Sequence, residues 1–427
     1  MNGLQTANAP SHKIVVPHFV AGSLAFVIAT SLLFISAGEW QNLYFHPKLI
    51  AITHIMVLGW ATMTAFGALY QLVPVVYETS LFSEKLASVT FYLYTVSVLF
   101  LSYSFWISSF SELLLYSSLL MFFSLLMFII NLAMTYRKRT KSNIQSRFIS
   151  TALLWLALAE LLGTIVALNF KYNFLSQNHI HYLKIHAHIG LLGWFILLII
   201  GASSILIPMF MISHQVNSQK LKYSYYLINI GLIGLALNWF IAQNRIGEML
   251  FGLLIMSGII IYLFHIFQIY KHRIRKLLDT GMKLTIFAIT LILFPLIIAV
   301  IISGINFDYE LISRLSLVYG FGIIFGIIST IILGQIYKTL PFIVWLKVYQ
   351  PYVGKFKTPL PRELYSESIL KMQMIIYLTG YCIILSGLGF QHLFTIKTGL
   401  FLIIVASVLN LINVIKITFH KPNLIQL

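Results

Sequence analysis

Apolar runs of 20 or more residues recur along this 427-residue chain. A run of that length crosses a bilayer as one helix, because in lipid every backbone N–H and C=O must be satisfied inside its own segment. Only 9% of the residues are charged and 59% are hydrophobic, too few charges to cover a soluble protein of this size. Twelve spans can be read: about Pro17–Ser36, Leu49–Val76, Leu86–Ile107, Glu112–Met134, Phe148–Phe170, Tyr182–Ile212, Tyr223–Ala242, Gly247–Tyr270, Met282–Gly304, Leu311–Leu340, Ser368–Phe390 and Leu393–Phe419. The expected fold class is all-α, a polytopic membrane protein forming a single membrane domain.

One motif returns inside these spans. His54-Ile-Met-Val-Leu-Gly59-Trp60, running on to Pro74, reappears as His188-Ile-Gly-Leu-Leu-Gly193-Trp194, running on to Pro208. The offset is 134 residues at the His, the Gly, the Trp and the Pro. A degraded third copy keeps the Gly326-to-Pro341 spacing and sets Tyr337 before Pro341 as Tyr70 stands before Pro74, but Phe321 takes the His position. With copies in spans two, six and ten, the expected repeat unit is four helices used three times, about 14–140, 141–278 and 279–420.

The net charge of +17 could suggest nucleic acid, but the basic residues lie in the connections between spans and read as topology instead. One side holds 22 of the 28 Lys and Arg, among them Arg137, Lys138, Arg139, Lys141, Arg273 and Arg275. The other holds Lys48, Lys171, Lys184, Arg245, Arg314 and Lys397. The positive-inside rule then puts both termini and the long Pro341-to-Glu367 connection in the cytoplasm, in a bacterial cell membrane. His54, His186 and His188 fall toward the outer face. Cys382 is the only cysteine, which excludes an intramolecular disulfide and a Cys-x-x-Cys-His attachment for covalent haem.

His54 lies five residues past Leu49 and His188 six past Tyr182, so both sit about 7–9 Å into the hydrocarbon at one level. An imidazole at that depth is costly unless its nitrogens are used. Two uses compete: a hydrogen bond to a neighbouring backbone carbonyl, and ligation of a cofactor. His186 and His188, two apart on one helix, project about 200° apart and can serve two sites on opposite flanks. Haem suits such sites, being flat, apolar and ligated by neutral imidazole. Its propionates would find cations in Lys184, Arg245 and Arg314, and Gly59, Gly67, Gly193, Gly201, Gly320 and Gly326 would leave room for a macrocycle. Ordinary helix packing is the other reading of those glycines. If the repeats form a threefold ring, equivalent residues point into successive pores, and His186 is then the better partner for His54 between spans two and six, with His188 facing the pore toward span ten. With the ring facing the other way, His188 serves the shared pore and His54 looks toward span ten. Glu160, the one carboxylate deep in a span, is a candidate for a proton path or a hydrogen-bonded neutral acid. Lys338 is expected to snorkel to the headgroups.

Twelve spans in three repeats, with His near the outer ends of equivalent helices, resemble heme-copper oxidase subunit I. Thr53 to Trp60 with Gly67-Ala-Leu-Tyr70-Gln71-Leu-Val-Pro74 is similar to the second span of its cbb-type and nitric-oxide-reductase relatives. The resemblance implies that His54 is an axial ligand of a low-spin haem. It covers the whole chain as topology but only the second span as motif. The family's tenth-span His-x-His and its seventh-span His pair are missing here, so the usual haem–copper centre cannot form in its usual place. The chain is similar in that respect to the divergent NnrS family of membrane haem proteins.

The expectation is a membrane haem protein, b-type and non-covalent with copper left open, acting in electron transfer or in oxygen or nitric-oxide chemistry. Its partners would be haem, membrane lipid and an electron-donor protein or quinol, with no nucleic acid. A redox-silent haem carrier or gas sensor, and a haem-free transporter, are the alternatives. Topology is tested first: a reporter fused after Leu427 and another inserted near Lys141 should both report cytoplasm, and an outside signal from either would overturn the assigned orientation.

Overall fold

Each long apolar run is a helix in the computed structural model, which describes residues 8–139, 143–214, 217–422 and 425–426. Lys141, Leu427 and the first seven residues lie outside the described residues. Twelve helices among the described residues are long and apolar enough to cross a membrane: α1 (His12–Ile35), α2 (Pro47–Tyr77), α3 (Glu84–Trp106), α4 (Glu112–Arg137), α5 (Ile144–Tyr172), α6 (His179–Met211), α7 (Ser218–Ala242), α8 (Arg245–Lys271), α9 (Thr280–Gly304), α10 (Tyr309–Val348), α11 (Glu367–Gly389) and α12 (Leu393–Thr418). Polar caps set many of their starts. Asn143, Asn178, Asn217, Asn244, Asp279 and Asp308 each accept a hydrogen bond from a first-turn N–H, satisfying a donor that the helix itself cannot. α1 packs on α12, where Asn410 donates to the Ser23 hydroxyl at 3.1 Å, so the first and last helices are neighbours.

The helices carrying the motif are the most buried, and each changes its winding at the same motif position. Ile55–Thr62, Ile189–Ile196 and Gly322–Ser329 are π-helical, each starting at the residue after His54, His188 or Phe321. A π segment makes i→i+5 bonds, widens the helix and leaves a carbonyl without its usual donor. In lipid such a carbonyl needs another partner. Tyr94 of α3 donates to the Leu58 carbonyl at 3.0 Å, and Tyr377 of α11 donates to the matching Phe325 carbonyl at 2.6 Å.

The π segments also tie the three helices to one another. The Trp60 indole N–H donates to Ser329 Oγ of α10 at 3.1 Å, and the Trp194 indole N–H donates to Thr62 Oγ1 of α2 at 3.1 Å. Ser329 and Thr62 hold the same motif position. The third such strut would run from Ile327 to Ile196, and both of those residues are buried and apolar. Replacing both partners of a buried hydrogen bond by apolar groups leaves nothing unsatisfied, so this third position costs little.

Two features differ from the sequence expectation, the length of α10 and the placing of Lys338, while the connection after α10 has the order expected of it. α10 runs 40 residues, through Pro341 to Val348, whereas α2 and α6 stop soon after Pro74 and Pro208 at left-handed Glu78 (φ 54°) and Ile212 (φ 52°). The connection after α10 is partly ordered: Phe356–Lys357 (β1) pairs antiparallel with Ile425–Gln426 (β2). Lys338 does not snorkel; its side chain is 14% exposed and bonds Asp279, the N-cap of α9. Burial alone would raise the Asp279 carboxyl, but Lys338 and Arg275 outweigh it and hold the group below the usual carboxylate range. Its contribution to stability is therefore present above the unfolded pKa and lost as pH falls through the lowered folded value.

Trp60→Phe should destabilise the protein by about 1–2 kcal/mol, because it removes the donor and strands the Ser329 hydroxyl. Adding Ser329→Ala should cost less than its own single effect predicts, with a coupling of about 1 kcal/mol in a double-mutant cycle of thermal melts. Additive losses would mean that the strut carries no interaction energy.

Candidate functional site

His54 ends the regular first part of α2, whose start is fixed by Pro47 in the first turn. Its Nδ1 lies 2.8 Å from the Ile50 carbonyl one turn back. In a neutral ring that contact makes Nδ1 the N–H donor and leaves the Nε2 lone pair free. His186 reaches the same state differently: its Nδ1 lies 2.9 Å from the Ala159 carbonyl on α5, a neighbouring helix. His188 turns to the opposite flank of α6 and uses its own helix, with Nδ1 2.8 Å from the Lys184 carbonyl. The carbonyl reading and the ligand reading are thus compatible, one for each ring nitrogen.

The structure brings His54 and His186 together. Their ring centroids are 6.4 Å apart and their planes differ by 20°. A coordinating imidazole nitrogen sits about 2.0–2.1 Å from its metal and about 1.1 Å from its own ring centre, so two imidazoles on opposite sides of one ion place their centroids about 6.3 Å apart. Both rings are only partly covered by the bundle. Phe105 of α3 stacks on His54 at 4.9 Å and sets an apolar ring against it. The donor set, its tautomers and its spacing fit bis-imidazole ligation.

His188 stands apart from the pair. It packs against Trp239 of α7 at 4.9 Å and Tyr319 of α10 at 5.8 Å. The gap it borders measures about 100 Å³. Sites for drug-sized ligands run to about 300–1,000 Å³, so this gap suits water or a diatomic molecule and does not fit a second macrocycle.

The expected cations bond elsewhere. Lys184 pairs with Glu248 at 2.7 Å and sits 4.5 Å over the Trp239 ring, on the His188 flank. Arg245 donates to the Ser303 carbonyl at 2.7 Å and to Asn306, tying α8 to the end of α9. Arg314 pairs with Glu310 at 3.1 Å and reaches the Gly389 carbonyl at the end of α11. Nor do most of the expected glycines leave room for a macrocycle. A Cβ on Gly67 would meet His18, one on Gly193 Trp155 and one on Gly201 Phe148, each within 3.0 Å, and Gly59 and Gly326 are similarly filled by neighbouring helices. Only Gly320 of the six faces open space. Ordinary helix packing explains the other five.

Glu160 lies midway along α5, beside the Ala159 carbonyl that receives His186, and accepts from Thr164 at 3.3 Å. Among the described residues no group of three or more His, Cys, Asp and Glu side chains is placed to hold a bare metal ion.

Gly163 is a site residue that the sequence reading missed. A Cβ there would stand 2.9 Å from His186 Cε1, so its missing side chain is what seats the ring against α5. A lone glycine in an apolar helix carries no signal of that role. No family model matches the chain, and no curated protein does. Gly163→Ala should destabilise the protein by about 1–3 kcal/mol through overpacking on the imidazole. Gly320→Ala, with open space at its Cβ, should be neutral or stabilise by about 0.5–1 kcal/mol through helix propensity. Equal melting temperatures for the two variants would remove Gly163 from the site.

Proposed function

We propose that the chain is a haem-binding membrane protein in which His54 and His186 are the axial ligands of one low-spin, non-covalent haem, and that it serves electron transfer. The observation that carries this is the 6.4 Å centroid spacing of two near-parallel imidazoles whose Nδ1 atoms are both spoken for by carbonyls. Bound there, a haem supplies one-electron chemistry at a potential set by its axial ligands and its burial. The residues do the rest. Ile50 and Ala159 orient the two rings, Phe105 keeps water from one side, and Glu160 can hold or release a proton beside the His186 anchor. The reading places the three motif copies in three four-helix repeats around a common axis; the cyclic sense of the struts, from α2 to α10 and from α6 to α2, supports that. It keeps His54 toward the outer face and both termini inside. Oxygen or nitric-oxide chemistry would rest on His188, and the 100 Å³ gap there gives it less support.

The test is optical. Purified wild type should show a reduced low-spin haem spectrum and a b-type pyridine haemochrome. His54→Ala and His186→Ala should each convert it to high-spin or lose the haem, since one axial bond goes. His188→Ala and His265→Ala should leave the low-spin bands in place. Identical spectra in wild type and His54→Ala would sink the assignment, and colourless wild-type protein would favour a haem-free transporter.

A further inference from the structure

At the other end of the motif helices from His54 is a cavity of about 1140 Å³. Along α2 it extends from Ala61, next to Trp60, to Val75, about 21 Å at 1.5 Å per residue. α6 and α10 complete its walls, which are mostly aliphatic and aromatic, with Phe195, Ile199 and Ile332 among them. The volume exceeds the range of about 300–1,000 Å³ for compact ligands. Its charged and amide side chains gather at one end only.

That polar end is already balanced. Arg275, Lys338 and Arg362 face Asp279, Glu363 and Glu367. Lys338 is bonded to Asp279, Arg275 lies 3.6 Å from the same carboxylate, and Thr280 donates to Glu367 at 2.7 Å. No surplus charge waits for an ionic ligand, and bringing one in would cost desolvation without a free counter-ion. A neutral group does wait. Gln71 lines the cavity, is 9% exposed, and its amide has no hydrogen-bond partner among the described residues. An amide that deep offers both donors and an acceptor to a ligand. Lipid already solvates a hydrocarbon tail, so selection must come from the head group and from the fit of the bore.

We infer that this bore binds a chain-bearing amphiphile with an uncharged, oxygen-bearing head, of the kind found in an isoprenoid quinone or a monoacylglycerol. The tail lies between α2, α6 and α10, and the head meets Gln71. The inference stands on the cavity and does not need a haem at His54.

Equilibrium binding to the full chain in lipid nanodiscs tests it, with labelled decylubiquinone and labelled monoolein as probes and palmitate as competitor. Saturable binding of either uncharged probe is expected, and which one binds distinguishes the two sources. Ala65→Phe and Ala202→Phe put rings into the bore at two positions and should each weaken binding by about tenfold or more. Gln71→Leu should weaken it by about fivefold through the lost head-group bond. Elution and helicity like wild type show that the variants are folded, and two filling positions guard against a failure of one. Displacement of the probe by palmitate at equal or lower concentration would overturn the uncharged head. Unchanged affinity in both filled variants, or no saturable binding of either probe, would overturn the site.

Discussion

Two indole-to-hydroxyl hydrogen bonds hold the three motif helices in register, and the rest of the site depends on them. They form because each motif helix switches to π winding just past its His or Phe position. The wider turn presents Trp60 and Trp194 sideways to a hydroxyl on the next motif helix and leaves carbonyls that outer-helix tyrosines take up. Between helices in lipid there is no hydrophobic driving force, so packing and such bonds carry the association. Phe26, stacked on Trp60 at 4.7 Å, fixes the indole that makes the first strut.

Much of the architecture was legible because membrane spans announce themselves by length and polarity. All twelve spans fall where the apolar runs predict, and the motif offset pointed to the helices that share the π segments. The site was legible only in part. Spacing on a helix shows that His186 and His188 must look opposite ways, but not which of them meets His54. That depends on how the motif helices face one another, and the structure brings His186 to it. Nor can spacing show who holds the second nitrogen. The His186 anchor is a backbone carbonyl on another helix, and no side-chain pattern marks Ala159. Pro341 misled for a related reason: at the same motif position Pro74 and Pro208 precede a helix end, yet α10 continues, and its Trp345 indole bonds the Pro359 carbonyl of the following connection at 2.6 Å.

The struts also separate two environments in one bundle. On one side lie half-covered imidazoles at a short, fixed spacing. On the other lies a long apolar bore with a charge-balanced end. Thr62 and Ser329 sit at the boundary, each accepting an indole N–H with its hydroxyl oxygen.

His54 and His186 are oriented by different means, and this decides what sets their separation. His54 is anchored to its own helix, so its ring moves with α2 as a rigid unit. His186 is anchored across to α5, so its ring position reports how α5 sits on α6. That contact is built from missing side chains: Gly163 on α5 seats the imidazole, Gly193 on α6 seats Trp155, and Gly201 seats Phe148. Interiors are close-packed and deform little, so three such contacts along one interface fix the distance between the two axes. The His54–His186 spacing therefore depends on the α5–α6 interface as well as on the strut that joins α6 to α2. A methyl group added at Gly163 should press on the His186 ring and so change its spacing from His54.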